Sequence, residues 1–136
     1  MKINIVNYKT LDKRNTGTDA IYKAFGTSGF YVGRRNSFYG LPKSPLANPF
    51  RIADYGGNRG AVLVDYRKWL WNQIKNNNMQ VINELNRINA ELEQSGTVTL
   101  ICWCDCTNDG EMQCHGEIIR NALNSDEVQA ILSKQR

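Results

Sequence analysis

The stretch from Cys102 to Gly116 reads Cys-Trp-Cys-Asp-Cys-Thr-Asn-Asp-Gly-Glu-Met-Gln-Cys-His-Gly. It holds all four cysteines (Cys102, Cys104, Cys106, Cys114) and the only histidine, His115. Thiols of this kind can bind a soft metal, attack an electrophile, or pack as small buried hydrophobes. A Cys-x-Cys-x-Cys…Cys-His set offers Cys102, Cys104, Cys114 and His115 as tetrahedral zinc ligands. The usual zinc knuckle instead spaces its cysteines two to four residues apart so that the chain can wrap the ion. Nucleophilic catalysis would need a thiol pKa lowered by a helix N-terminus or an imidazole. Cys114 meets the first condition, and His115 would serve Cys104 or a substrate rather than its own neighbour.

The elements around this stretch place it at an edge. Thr97-Val-Thr-Leu-Ile101 is apolar and β-branched, which predicts a buried strand. Gly116 to Leu123 predicts a short helix. A site where a strand hands over to a helix lies at the sheet edge at which α/β proteins tend to bind ligands, and the helix start offers N–H groups to an anion.

Charge points to a second part of the site. The net charge is +4, but residues 34 to 68 carry seven basic groups against two acids, so the excess lies in that quarter of the chain. Such a run is commonly a solvated surface. Beside Gly33 and three prolines (Pro42, Pro45, Pro49), it also fits an anion pocket in which Arg34 and Arg35 grip a phosphate or carboxylate. Phe50 and Trp103 could stack on a ring. No Gly-x-Gly-x-x-Gly or phosphate-loop motif is present, so a standard dinucleotide or triphosphate fold is not indicated. A nucleic-acid groove, with Phe38, Tyr39, Phe50 and Tyr55 among the basic residues, ranks lower because the overall charge is modest.

The scaffold reads as follows. Ile3–Tyr8 and Phe30–Val32 predict strands, and Asp19–Phe25 a helical turn capped by Thr16, Thr18 or Asp19. Residues 36 to 58 show no periodicity, yet their apolar side chains argue for a packed, ligand-facing loop. Gly60–Lys75 predicts an amphipathic helix with Val62, Tyr66, Trp69, Leu70 and Ile74 on one stripe and Trp71 off it. Gln80–Gln94 predicts its partner, ended by Ser95-Gly96, and Ser125 caps a last helix. The expectation is one α/β domain over residues 1–136, a small Rossmann-like, three-layer unit with a few mostly parallel strands covered by helices. Nothing approaches the ~20 apolar residues of a membrane span. The N-terminus is too short and polar for a signal peptide, so a cytoplasmic protein with reduced thiols is expected.

Tyr31-Val-Gly-Arg34, Asn48-Pro-Phe50, Tyr66-x2-Trp69-Leu70, Cys102-Trp-Cys104 and Cys114-His-Gly116 together resemble the domain of unknown function family 4326 of bacteria and phages. The likeness runs from about residue 30 to 123. The family typically closes its last motif with aspartate where this chain has Glu117, and Cys106 is particular to this chain. The resemblance implies a compact Rossmann-like domain similar to nucleotide-binding folds of NAD- and ADP-ribose-related pathways. For a phage-encoded member, it further implies a protein of the host cytoplasm that could sequester such a nucleotide.

The combined expectation is a small anionic nucleotide-type ligand bound by Gly33, Arg34, Asn48, Phe50, Trp103, Cys104, Cys114, His115 and Gly116. Zinc is a possible but not required group. An enzyme acting at a nucleotide glycosidic bond, with Glu117, Cys104 or His115 as catalytic candidates, is the alternative. A zinc-stabilised interaction module is the third reading.

Overall fold

The computed structural model describes residues 1–103 and 114–135. Three strands form a parallel sheet in the order β1-β3-β2, where β1 is Lys2–Asn7, β2 is Gly29–Tyr31 and β3 is Thr97–Cys102. The register sets Ile3 beside Val98, Ile5 beside Leu100, and Phe30 beside Leu100 on the other flank. Val32 extends the second pairing by donating its N–H to the Ile101 carbonyl at 2.9 Å. The middle strand is covered on both faces, which is why its sequence is a continuous apolar run rather than an alternation.

Period-two alternation divides the core. Ile3, Phe30, Val32, Val98, Leu100 and Cys102 face one side, where they pack under four helices: α2 (Arg59–Lys75), α3 (Met79–Ser95), α4 (His115–Leu123) and α5 (Asp126–Ser133). Tyr31 and Ile101 face the other, against Ala20 and Ile21 of α1 (Gly17–Phe25). The result is three layers, helix, sheet and helices, as expected.

Local chemistry accounts for the helix boundaries. Asn58 caps α2 by accepting from the Ala61 N–H, and Asn78 caps α3 by accepting from Gln80 and Val81. Gly96 ends α3 at φ 80°, a left-handed conformation that costs glycine little. Ser125 caps α5 through the Val128 N–H. Thr16 precedes α1 without a side-chain cap. The α2 stripe buries Val62, Tyr66, Leu70 and Ile74, while Trp69 is half-buried. Trp71, off that stripe, packs at the edge of the core with the Arg67 guanidinium 4.3 Å over its ring. No helix among the described residues is long and apolar enough to cross a membrane.

The aperiodic segment 36–58 is tied down by a few bonds. Asn36 and Leu41 exchange two backbone hydrogen bonds of 2.9 Å, and Ser44 donates its N–H to the Gly33 carbonyl. The Tyr66 hydroxyl donates to the Leu46 carbonyl at 2.7 Å, and Leu41 and Leu46 are buried. The packing is not uniform. Phe38 is 86% exposed because it sits at the tip of the Asn36–Leu41 turn, whose tight reversal turns the side chain outward, edge-on to Tyr39.

Candidate functional site

A cleft of about 370 Å³ opens at the carboxyl edge of the sheet, within the ~300–1,000 Å³ range of small-ligand sites. Gly33 to Asn36 reach it from the end of β2, Trp103 from the end of β3, and His115 from the start of α4. Asn48, Phe50 and Ile52 come from the long loop, and Arg59, Val62 and Leu63 from the first turns of α2.

Gly33 is fixed by a close approach. A Cβ there would lie 2.5 Å from the Tyr31 hydroxyl oxygen and 2.7 Å from its Cζ. That ring folds back over the glycine because its O–H donates to the Arg34 carbonyl at 2.6 Å, while the Trp103 indole N–H donates to the Tyr31 hydroxyl oxygen at 3.0 Å. Trp103 is further held by Tyr8 and Tyr39, with ring centroids at 4.9 and 5.3 Å. It therefore serves as a fixed wall of the cleft.

Arg34 does something the sequence did not suggest. Its Nε donates to the Asn48 carbonyl at 2.7 Å and its Nη2 to the Phe50 carbonyl. The Asn48 side chain in turn accepts the Phe50 N–H at 2.9 Å. The Gly-Arg turn and the Asn-Pro-Phe loop are thus clamped together, and Phe50 is held edge-on to Tyr55. With much of the Arg34 fork committed to carbonyls, Arg35 and Arg59 become the more available cations. Neither makes an ion pair among the described residues.

Behind the cleft lies the cysteine corner. Cys102 and Cys114 are buried, with sulfurs 3.2 Å apart. Cys102 Sγ also donates to the Val6 carbonyl at 3.6 Å, and Cys114 Sγ accepts the Gly116 N–H at 3.3 Å as the cap of α4. His115, 5% exposed, places Nε2 2.8 Å from the Val32 carbonyl. A carbonyl only accepts, so Nε2 holds its hydrogen, and a ring anchored this way does not offer that nitrogen to a metal. Among the described residues, no three His, Cys, Asp or Glu side chains gather as a metal site. Gly116 sits where a Cβ would approach Ile5 at 3.1 Å, so it serves helix–sheet packing. Glu117 lines a separate depression with Ile5, Phe25 and Arg120 on the β1 side, and does not line the cleft. Cys104 and Cys106 lie outside the described residues.

The structure therefore brings Gly33, Arg34, Asn48, Phe50, Trp103 and His115 to one cavity and leaves Cys114, Gly116 and Glu117 off its wall. The model of the domain of unknown function family DUF4326 matches residues 16–125, more than half of the chain. The chain belongs to that family. The family span contains every residue that lines the cleft, whereas β1 and α5 fall outside it. Neither the comparison with curated proteins nor that with solved structures gives a match.

Sequence reasoning did not single out Arg59, Val62 or Leu63 as site residues. A signal was present in Asn58, a capping residue directly before an amphipathic run, which puts the next residues at a helix start facing the sheet edge.

Proposed function

We propose that the cleft binds a small phosphate-bearing nucleotide-type ligand, with its ring over the apolar floor and its phosphate at the cationic rim. The observation that carries this reading is the convergence of five separate chain segments on one cavity. Its floor is Val62, Leu63, Phe50 and Trp103, and its rim is Arg35 and Arg59. Apolar walls with a few placed polar groups are the usual make-up of a small-molecule site. Arginine suits phosphate because its planar fork donates two parallel hydrogen bonds.

The reading is of a binder, of the kind that could sequester a nucleotide. No carboxylate is among the described residues lining the cleft. Its one imidazole has Nε2 bonded to a backbone carbonyl. Glu117, the acid–base candidate for glycosidic cleavage, faces another depression.

Calorimetric titration of the full chain with AMP, NAD and ADP-ribose tests this. Saturable binding that Arg59→Ala weakens about tenfold, roughly 1.4 kcal/mol, supports it. Absence of binding to all three, or binding indifferent to both Arg59→Ala and Phe50→Ala, would overturn it.

A further inference from the structure

Beside the cleft runs a larger groove, of about 970 Å³, and the two cavities share Arg34, Arg35 and Asn48 as a common ridge. We propose that this groove carries the sugar–phosphate backbone of a single-stranded oligonucleotide, one of whose bases enters the cleft. The proposal rests on the nucleotide reading of the cleft and extends it from a free ligand to a strand.

Charge is the first argument. The groove is lined by Arg34, Arg35, Lys43, Arg51 and Arg87 against a single acid, Glu84. That acid is neutralised within the groove, its carboxylate accepting from Arg87 at 2.6 and 2.8 Å. Arg35, Lys43 and Arg51 are exposed and make no ion pair among the described residues. The positive excess that looks modest over the whole chain is thus collected along one furrow. A furrow with one sign of charge focuses its field and attracts polyanions.

Spread is the second. The cations that make no ion pair among the described residues come from the turn after β2 (Arg35) and from the long loop (Lys43 and Arg51), so they are distributed along the groove. A lone pyrophosphate engages one or two such groups, whereas successive backbone phosphates engage each in turn. Trp69, half-buried and tilted against Tyr66 at 5.6 Å, lines the groove and offers a face to a base. Stacking of this sort reads no sequence, since every base has a π-face. The aromatics that the sequence interleaved with the basic residues are used otherwise, Tyr39 packing on Trp103 and Phe50 lining the cleft.

The test is fluorescence anisotropy of the full chain with labelled oligo-U and oligo-dT of about 4, 8 and 12 nucleotides, beside calorimetry with AMP. Expected are affinity that rises with length and falls with salt. The double variant Lys43→Glu, Arg51→Glu should lower the salt slope by about 1.4, at ~0.7 per phosphate contact on a single strand. It should weaken oligomer binding at least about tenfold while AMP binding stays within about twofold. A preference for oligo-U over oligo-dT would show that the 2′-hydroxyl or the base 5-methyl position is read, and equal affinity a backbone-only grip; either supports the proposal. Oligomers that bind no tighter than AMP, or a double variant that weakens both alike, would overturn it. Oligomer binding that depends on Lys43 and Arg51 but not on Phe50, with no AMP binding, would support the groove and remove the cleft reading.

Discussion

Arg34 and Asn48, fourteen residues apart in the chain, are joined by a 2.7 Å hydrogen bond from the arginine Nε to the asparagine carbonyl. A second bond from Nη2 reaches the Phe50 carbonyl. Two loops that would otherwise be independent walls of the cleft become one unit, and the arginine fork fixes the distance between them.

Arg34→Lys should therefore behave as a loss of position more than a loss of charge. A lysine is a point donor on a flexible stem and cannot bridge two carbonyls in a fixed plane. The bonds lie at an exposed position, so the stability cost should be small, about 1 kcal/mol. Nucleotide affinity should fall by more than that cost implies, because Phe50 loses its place. Melting temperature and calorimetric affinity of the same variant check this, and a lysine variant with full affinity would contradict it.

That clamp also marks what a sequence can and cannot disclose. The α2 stripe of Val62, Tyr66, Leu70 and Ile74, the Ser125 cap and the Gly96 stop were legible because helical periodicity and capping are local. The partners of Arg34 are backbone carbonyls, which every residue has, so no residue type announced them. The side on which Glu117 lies was hidden for a related reason. At about 100° per residue, two positions along a helix turn a side chain most of the way round, and only the packing of Gly116 on Ile5 decides which side faces β1. That a cleft opens at the end of β3 was legible, but the orientation of the side chains around it was not.

Gly33→Ala should cost about 2 kcal/mol, since the new methyl meets the Tyr31 ring and hydroxyl under 3 Å and the surroundings must shift. The displaced ring would also give up its bonds to the Arg34 carbonyl and the Trp103 indole. Gly60→Ala is the contrast. It lies within the first turn of α2 with its nearest neighbour 3.5 Å away, so alanine there should stabilise by about 0.5 kcal/mol. Denaturant titration of the two variants should give opposite signs, and a neutral Gly33→Ala would remove the close-approach argument.

His115→Phe should test whether the imidazole acts mainly as the donor to Val32. The ring would keep its edge-on contact with Tyr66, but the buried Val32 carbonyl would lose its 2.8 Å partner. An unsatisfied buried acceptor costs about 1–3 kcal/mol. Loss of this size by chemical denaturation is expected. A phenylalanine variant as stable as the parent would show that the hydrogen bond contributes nothing net.

Tyr55 links the cleft to α2 in a pH-dependent way. Its hydroxyl donates to Asp65 Oδ2 at 2.6 Å, and its ring meets Phe50 edge-on at 6.4 Å. The hydrogen bond to Asp65 comes first in holding the Tyr55 pKa above the usual tyrosine value, followed by partial loss of water and the charges of Asp65 and Asp54. A group whose pKa is raised on folding stabilises the fold fully below its unfolded pKa, about 10 for tyrosine, and loses that contribution as pH rises through the folded value. The melting-temperature gap between the parent and Tyr55→Phe should thus be constant from pH 7 to about 9 and close as the pH passes about 10 and above. Beyond that point a tyrosinate beside Asp65 repels it, and the phenylalanine variant should become the more stable of the two. A gap that widens with pH would mean that Tyr55 is held by something other than this hydrogen bond.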